Sequence, residues 1–389
     1  MNPPRSLIDL PMFFGAPHAE LGKTLAASLS GPDADRGLHV ASQVIPKLAS
    51  FGLLPLVVPP DGAKVDVRAL SLAREAMAYV SPLADGIFAV QGLSAHPLVL
   101  SPSFPRREEI LTAMRRGERT GGFALTEPEA GSDVASMRTT ARRDAQGWVL
   151  DGEKVFISNV GIAHHFVVFA NADPAAGKRG ISAFFVEATA PGLMLESIAT
   201  STDHPLGRLI LDGCRVPETS LIGEVGHGLR LALGTLDVFR TSVGGAAVGM
   251  AQRALDESIA RVTARKQFGQ RLADFQLTQA ALADMATELD AARLLVYRAA
   301  WLKDQPPPQG EAPPTAAPTA VAMAKMFATE AAQRIIDRAV QLHGGLGVAS
   351  ASVVEGLYRD IRPLRIYEGT TEIQKLIIGA SLTKERTAS

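Results

Sequence analysis

Hydrophobic periodicity changes twice along this chain of 389 residues. Up to about residue 118, apolar residues recur every three or four positions, which is the spacing of a helix face. From Gly121, short β-rich runs alternate with turn residues, and from about Gly226 the helical spacing returns and continues toward the C-terminus. The pattern predicts an α+β protein of several domains, divided into residues 1–118, 119–224 and 225–389.

The middle segment carries the clearest strand signals. In "GWVLDGEKVFIS", Asp151-Gly152 separates two apolar runs and predicts a β-hairpin with its turn at these residues. Three further β-rich runs follow at the spacing of an antiparallel sheet or barrel: "HFVVFANAD", "RGISAFFVEA" and "GRLILDGCRVPE". The gaps between these runs leave no room for crossover helices, so we expect antiparallel pairing.

The last segment contains apolar stripes that predict helices packed on partner helices, at residues 248–262, 282–299 and 321–342. The stretch "DQPPPQGEAPPTAAPTA" lacks apolar anchors and predicts a flexible connection. We expect the third helix to end at His343-Gly344-Gly345, because glycine adopts the left-handed conformation of a helix C-terminus.

Charge and cysteine content exclude several classes of protein. With 39 basic and 40 acidic residues, the chain has no global field that would attract nucleic acid or an anionic membrane. Cys214 is the single cysteine, which excludes an intrachain disulfide and a thiolate-rich metal site and fits a reducing cytoplasm. The N-terminus lacks the pattern of a signal peptide, and the uncharged run at 87–105 is interrupted by polar residues and prolines. We therefore expect a cytoplasmic protein with no metal, no nucleic-acid partner and no membrane span.

Near the C-terminus, "RIYEGTTEI" places Glu368 between an apolar-aromatic pair and a glycine. A carboxylate in this setting is either a solvated turn residue or a base. The short motif alone favours the turn residue, since such motifs have a high false-positive rate.

Two stretches of the middle segment have the composition of a site that holds a polar cofactor ring. "FALTEPEAGSD", at 123–133, combines a glycine with the small hydroxyls of Thr126 and Ser132, although the same residues also build ordinary turns. Phe156 and Ser158 stand two apart in a predicted strand, where they would share one face, and the alternative is a half-buried strand.

Two stretches of the last segment suit phosphate groups. "ARKQFG" supplies an arginine and an aromatic ring at the join of two predicted helices, although a charged corner there is more often solvated. "QLHGGLG" offers glycine backbone that a pyrophosphate could approach, but it lacks the flanking strand and helix of a dinucleotide fingerprint.

Five stretches occur in a fixed order: "FALTEPEAGSD", "DGEKVFISN", "ARKQFG", "QLHGGLG" and "RIYEGTTEIQK". Together they strongly resemble the acyl-CoA dehydrogenase family of flavoproteins. The motifs carry the resemblance from about Gly121 to the C-terminus. The N-terminal third resembles the family only by its position in the chain and its helical pattern. It implies an α-helical N-terminal domain, a β-barrel middle domain and a C-terminal four-helix bundle, with FAD and an acyl thioester as ligands.

The resemblance implies a role in FAD binding for residues of every motif. Phe156 takes the place of a usual Trp beside the isoalloxazine, and Ser158 that of a usual Thr. Arg265, Phe268 and the Gln341 to Gly345 segment match positions that bind the FAD of a neighbouring subunit, so a dimer is the smallest competent unit. The implied cofactor-binding residues are Phe123, Leu125, Thr126, Ser132, Phe156, Ser158, Arg265, Phe268, Gln276, Gln341, Gly344, Gly345, Thr370 and Glu372.

The same resemblance makes Glu368 the base that removes the α-proton of the thioester. A Glu at its ordinary pKa of about 4.3 is a weak base for a carbon acid, so burial must raise that pKa. Gly369 would let the backbone come close enough for an amide to hydrogen-bond the developing enolate oxygen. Some relatives carry the base at the position of Phe239, which cannot substitute. The implied substrate-binding residues are Ser132, Asp237, Arg240 and Gly369.

Two departures from the family pattern affect substrate recognition. The chain has Asp203-His204-Pro205-Leu206-Gly207-Arg208 where a Lys-x-Gly-x-Arg stretch is usual, and "LSAHPLVLSPSFP" blurs a glycine-containing pattern. Three activities stay open at this point: a dehydrogenase that passes electrons to an electron-transfer flavoprotein, an oxidase that uses O₂, and a flavin-binding homologue without dehydrogenase activity. Either CoA or a carrier protein could present the acyl group, and a homotetramer is the expected assembly.

Overall fold

The computed structural model describes residues 4–31, 37–60, 63–305 and 316–387. They form two compact units. The first contains the described residues of 1–35, 66–85 and 240–389, and the second those of 36–65 and 86–239. The three-domain division at residues 118 and 224 stays a prediction.

Helices account for most of the chain outside the middle segment, as the periodicity predicts. They are α1 Arg5–Asp9, α2 Ala16–Ser28, α3 Ala41–Ser50, α4 Val67–Val80, α5 Pro82–Val99, α6 Arg107–Arg115, α7 Gly228–Ala264, α8 Gln276–Asp304, α9 Ala316–His343, α10 Val353–Ile361 and α11 Thr371–Thr387. Among the described residues, none of these helices combines the length and apolarity needed to cross a membrane.

Local signals set several helix ends. The side chain of Asp66 precedes α4 and accepts a hydrogen bond from the Ala69 amide at 2.8 Å, which is an N-cap. Helix α9 ends at His343, and Gly344 follows with φ +61°, as predicted. Helix α8 ends at Asp304, and residues 306–315 of the predicted flexible connection lie outside the described residues.

In the first unit, α9 packs along α8, and α10 and α11 pack on α9. The apolar stripes are mostly buried as predicted, but Ile259 of α7 is 43 % exposed, and Leu282 and Leu342 are half-buried. Helices α4 and α7 approach at backbone distance. A Cβ atom on Gly245 would lie 2.6 Å from the Ser71 carbonyl oxygen, and one on Gly249 would lie 2.1 Å from that of Glu75. Only glycine allows this approach.

The sheet of the second unit has the strand order β6-β7-β3-β2-β4-β5-β8, with β1 also beside β4. Among the described residues, these pairings leave the sheet open, so the predicted barrel is not confirmed. The strands are β1 Gly121–Ala124, β2 Thr140–Asp144, β3 Gly147–Ser158, β4 His165–Asn171, β5 Ile181–Glu187, β6 Leu193–Ser197, β7 Leu206–Val216 and β8 Leu221–Ile222. The two-residue strands β9 Lys266–Gln267 and β10 Gln270–Arg271 form a separate hairpin in the first unit.

The expectation of purely antiparallel pairing is wrong for two of the pairings of strand β4. Both β1 and β2 pair with β4 in parallel, while the other pairings within this sheet are antiparallel. The reason is topological: the β2–β3 hairpin occupies the chain between β1 and β4 and returns it in its original direction. No crossover helix is needed, because the hairpin is itself the connection.

The predicted hairpin turn at Asp151-Gly152 is also wrong. These residues lie inside the 12-residue strand β3, where Gly152 has φ +149° and marks a register shift against β7. The turn lies earlier, where Asp144 pairs with Gly147 and its carboxylate accepts a hydrogen bond from the Gln146 amide at 2.8 Å. The Asp151 carboxylate instead accepts from the Gly213 amide at 2.7 Å, so its partner belongs to β7.

Candidate active site

Glu368 lies in the short loop before α11, in a left-handed backbone conformation. Its φ is +53°, and that of Gly369 is +92°. Such a conformation is unfavourable for a residue with a Cβ and persists only where the surroundings over-determine it. Here two cations hold consecutive carbonyl oxygens: Arg240 donates through Nε to that of Glu368 and Lys325 through Nζ to that of Gly369, both at 2.8 Å. The loop is thus fixed from α7 and α9.

Unlike the hydrogen-bonded backbone of this loop, the Glu368 carboxylate has a buried oxygen, Oε2, without a hydrogen-bond partner among the residues that the structure describes. Burial raises the pKa of Glu368 above its ordinary value. Arg74, Arg240 and Lys325 act in the opposite direction, and Asp85 adds to the increase. The desolvation effect prevails because the cations make their hydrogen bonds to other oxygens. The result is a carboxylate with raised proton affinity and a vacant acceptor, as a general base requires.

Arg74 and Asp85 form a buried ion pair beside this carboxylate. Arg74 donates through Nε and Nη2 to the two carboxylate oxygens of Asp85, each at 2.8 Å, and through Nη1 to Ser242 Oγ at 3.1 Å. Sequence reasoning missed Arg74, Asp85 and Lys325. A signal exists for two of them, since Arg74 and Lys325 interrupt apolar helical runs, "SLAREAMAYV" and "AVAMAKMFA", where a charge must be paired or functional.

The predicted cofactor segment at 123–133 is bonded to strand β3. Val155 donates its amide to the Thr126 carbonyl at 2.9 Å. The fully buried Lys154 donates through Nζ to Glu127 Oε1 at 2.7 Å and to the Leu125 carbonyl at 3.3 Å. The structure thus brings Leu125 and Thr126 onto the strand that carries Phe156 and Ser158. Phe123, the first residue of this segment, lies in β1, and Ser132 is exposed near its far end.

Phe156 has φ +56° and a side chain that is 63 % exposed. The pairing of β3 with β7 shifts register between Lys154 and Ile157, so simple alternation along the strand does not assign its faces. Even so, Ile157 is buried, while Phe156 is exposed and Ser158 half-buried. An exposed aromatic ring in a left-handed conformation suits stacking on a planar ligand such as a flavin.

The remaining predicted cofactor residues lie in two further places of the first unit. Arg265, Phe268 and Gln276 surround the β9–β10 hairpin between α7 and α8, and Phe268 is 94 % exposed with φ +50°. Gln341, Gly344 and Gly345 lie at the end of α9, where a Cβ atom on either glycine would meet no atom within 4 Å. Among the described residues, no hydrogen bond joins either group to the Glu368 loop.

Thr370 and Glu372 adjoin Glu368 as predicted from the motif. The Thr370 hydroxyl accepts from the Ile373 amide at 3.3 Å, and Glu372 lies in the first turn of α11, where it favours the helix N-terminus. Asp237 lies three residues before Arg240 on α7. Of the predicted substrate-binding residues, Arg240 and Gly369 are therefore in direct contact with the Glu368 loop or part of it.

The donor set fits a flavin dinucleotide. The exposed Phe156 ring and the hydroxyls of Thr126 and Ser158 suit a neutral polar ring system, while open glycine backbone at Gly344 and the exposed Arg265 suit phosphate groups. Residue types of this kind, together with a buried carboxylate, are those expected of an FAD-dependent oxidoreductase.

Comparison with known proteins leads to the same class. The model of the acyl-CoA dehydrogenase middle domain matches residues 122–214, and that of the C-terminal domain matches residues 226–383. The caffeyl-CoA reductase-Etf complex subunit CarC of Acetobacterium woodii is 37 % identical over 353 residues, 88 % of this chain and 90 % of that protein. The mitochondrial short-chain specific acyl-CoA dehydrogenase of Mus musculus is 38 % identical over 346 residues, 87 % of this chain and 82 % of that protein.

A solved structure agrees in fold along nearly the whole chain. The glutaryl-CoA dehydrogenase of Mycobacterium smegmatis, in complex with FADH2, superposes with a TM-score of 0.87 and 26 % identity, over 99 % of each chain. This chain belongs to the acyl-CoA dehydrogenase family, as its five motifs indicate, and FAD is its cofactor.

Proposed function

We propose that this enzyme oxidises an acyl-CoA thioester to the 2,3-enoyl-CoA, with Glu368 as the base. The observation that carries the proposal is the buried Glu368 Oε2, which has no hydrogen-bond partner among the described residues, while two cations hold the carbonyl oxygens of Glu368 and Gly369. A base must keep one oxygen free for the incoming proton, and this carboxylate does so.

The reaction transfers two hydrogens from neighbouring carbons. The α-proton passes to Glu368 Oε2, the electron pair of that C–H bond forms the new C=C bond, and the β-hydrogen leaves with its electrons as hydride. FAD, when bound, supplies the hydride acceptor. The Gly369 amide polarises the thioester oxygen and so stabilises the negative charge that develops there. Gly369 favours glycine because its φ of +92° is a backbone conformation that residues with a side chain rarely adopt.

For FAD, the proposal assigns Thr126, Phe156 and Ser158 to the flavin, and Arg265 and Gln341 to the phosphates and adenosine of a second copy's cofactor. Their exposure supports the second assignment, since groups that complete a neighbour's site must be accessible in one chain. A dimer is then the smallest competent unit and a homotetramer the expected assembly. We extend the proposal to the finer fold, a barrel in the middle domain and a four-helix bundle at the C-terminus.

An electron-transfer flavoprotein is the proposed electron acceptor. One relative is named as part of a complex with Etf and acts as a reductase, while another is named as a dehydrogenase. Anaerobic reduction by acyl-CoAs, followed by admission of air, tests the alternative acceptor. Slow reoxidation supports electron transfer to a protein, whereas rapid reoxidation with peroxide would assign an oxidase.

Replacement of the base tests the proposal directly. Glu368→Gln keeps the shape of the side chain and removes the proton acceptor, so flavin reduction should slow by about 10² to 10⁴-fold with FAD content unchanged. The measurement is anaerobic stopped-flow reduction by the acyl-CoA that bleaches the parent enzyme, chosen from straight, branched, aromatic and dicarboxylic thioesters. Glu20→Gln, an exposed glutamate of α2 in the same unit, is the matched control. Parental reduction in Glu368→Gln would contradict the mechanism.

A further inference from the structure

The Arg74–Asp85 ion pair has no part in the proposed proton transfer, yet it lies within electrostatic reach of the base. Both side chains are shielded, with 0 % and 1 % of their surface exposed. They therefore cannot contact a substrate in this conformation. Whatever they contribute to catalysis must act through Glu368.

The packing fixes the position of this pair. The Gly245 and Gly249 contacts between α7 and α4 bring the two helix backbones together on either side of Arg74 along α4. The Arg74 guanidinium donates to Ser242 Oγ on α7, and it is hydrogen-bonded to the side chain of Tyr367, the residue before Glu368. Arg74 therefore has no room to rotate away from the loop.

Charged and titratable groups face Glu368 from every element packed against it. They are Arg74 on α4, Asp85 on α5, Arg240 on α7, Lys325 on α9 and Tyr367 in the loop itself. Arg240 and Lys325 donate to backbone carbonyls, and Arg74 donates to Asp85. Asp85 is the anion among them that offsets the three cations at Glu368, while Glu330 on α9 and Glu372 on α11 act on Lys325.

We propose that Arg74 and Asp85 are positioning residues for the base: the pair holds opposite charges in one rigid unit, so that Asp85 withholds the Arg74 charge from the Glu368 carboxylate. The inference rests on the proposed function of Glu368. Neither ordinary packing nor a single charge would have this effect. The pair prevents the cations around the Glu368 loop from lowering the proton affinity of the carboxylate.

The two single substitutions have consequences of opposite sign. Asp85→Asn leaves the Arg74 charge uncompensated, which favours ionised Glu368. The acid limb of the profile of flavin-reduction rate against pH, where the rate falls because the base is protonated, should therefore move to lower pH. Arg74→Met leaves Asp85 as an added anion, which disfavours ionised Glu368, so the same limb should move to higher pH. Loss of packing alone would not separate the two variants in this way.

The experiment measures the pH dependence of anaerobic flavin reduction in the FAD-loaded enzyme, at saturating acyl-CoA. We expect shifts of at least about 0.5 pH unit, in opposite directions, since a nearby charge moves the pKa of a carboxylate by about one unit or more. Arg334→Met and Glu288→Gln remove the partners of an exposed pair in the same unit and serve as matched controls with no expected shift. FAD content and thermal unfolding check the fold.

A double variant keeps the test decisive if a single variant does not fold. Arg74→Met with Asp85→Asn removes both charges together, and its acid limb should lie between those of the single variants. The inference would be overturned if the acid limbs of the two single variants moved in the same direction. It would also be overturned if the acid limb of the double variant moved as far as that of whichever single variant folds. If the acid limb stayed in place in the Arg74 and Asp85 variants while Glu368→Gln reduced the flavin slowly, this inference would be overturned and the proposed function would stand. Parental reduction in Glu368→Gln would overturn the proposed function and the inference with it.

Discussion

The Nζ atom of Lys325 lies 2.8 Å from the carbonyl oxygen of Gly369, the residue that follows the proposed base. Lys325 is fully buried, and burial lowers its pKa to about 8, although the Glu368 charge acts to raise it. A buried ammonium thus anchors the backbone of the Glu368 loop without a hydrogen bond to the carboxylate of the proposed base.

Lys325→Met should therefore slow flavin reduction while FAD stays bound. The substitution leaves the Gly369 carbonyl with the Gln374 side chain as its donor at 3.1 Å, and the loss of a buried hydrogen bond costs about 1 to 3 kcal/mol. The measurements are stopped-flow reduction and urea unfolding. Lys375→Met, on the exposed side of α11, should change neither. An unaltered reduction rate in Lys325→Met would show that the loop keeps its geometry without this contact.

His165 should contribute to acid lability. The ring is fully buried and stacked on Phe185, and neither ring nitrogen has a hydrogen-bond partner among the described residues. Burial lowers its pKa from 6.5 to about 3, assisted by Arg119. Because the folded pKa is depressed, the neutral ring contributes stability that is fully present above about pH 6.5 and is lost as pH falls toward 3, at up to about 1.4 kcal/mol per unit.

The check is the free energy of unfolding of His165→Phe, compared with the parent at pH 7 and pH 5. The phenyl ring keeps the stacking and cannot be protonated, so the variant should lose less stability over this interval. His227→Phe replaces a partly exposed imidazole in the same unit and controls for the exchange of a histidine for a phenylalanine as such. Equal pH dependence in parent and His165→Phe would assign the acid lability to other buried groups, among them His96 and His204, whose pKa values burial lowers to about 4.

Lys154→Met should weaken the retention of FAD. Without Lys154, the Glu127 carboxylate keeps its bonds from the Arg138 and Thr139 amides but loses its buried counter-ion, and the 123–133 segment loses its side-chain bonds to β3. Breaking such a buried pair typically costs about 3 to 5 kcal/mol. Flavin absorbance after dialysis measures the loss, with the exposed Lys178→Met as the control. Full flavin content in Lys154→Met would remove this pair from the cofactor site.

Arg265→Ala should also weaken FAD retention, through a second copy of the chain, because a phosphate loses a charge-assisted partner. Size-exclusion chromatography with flavin absorbance detects both the assembly and its cofactor. Lys266→Ala, the next residue and also exposed, tests whether any nearby charge would serve. A parent protein that elutes as a monomer with its flavin fully retained would contradict the assignment of Arg265 to an interface.

The sequence alone determined the features that depend on neighbours along the chain. The end of α9 at His343 follows from Gly344, which adopts the left-handed conformation at little cost, and the helical and β-rich segments follow from hydrophobic period. The family was also readable, since its motifs are contiguous stretches. The role of Glu368 as base stays a prediction that depends on the order of all five motifs, because its own short motif favours a turn residue.

Only the tertiary structure decided which charges surround that base. Arg74, Asp85, Arg240 and Lys325 come from four helices spread over 250 residues of chain, and no local pattern records that they meet at Glu368. The turn predicted at Asp151-Gly152 failed for a related reason, since the Asp151 partner is the Gly213 amide on another strand. The direction of the Glu368 pKa shift depends on the balance between desolvation and these distant charges, and that balance exists only once the chain has folded.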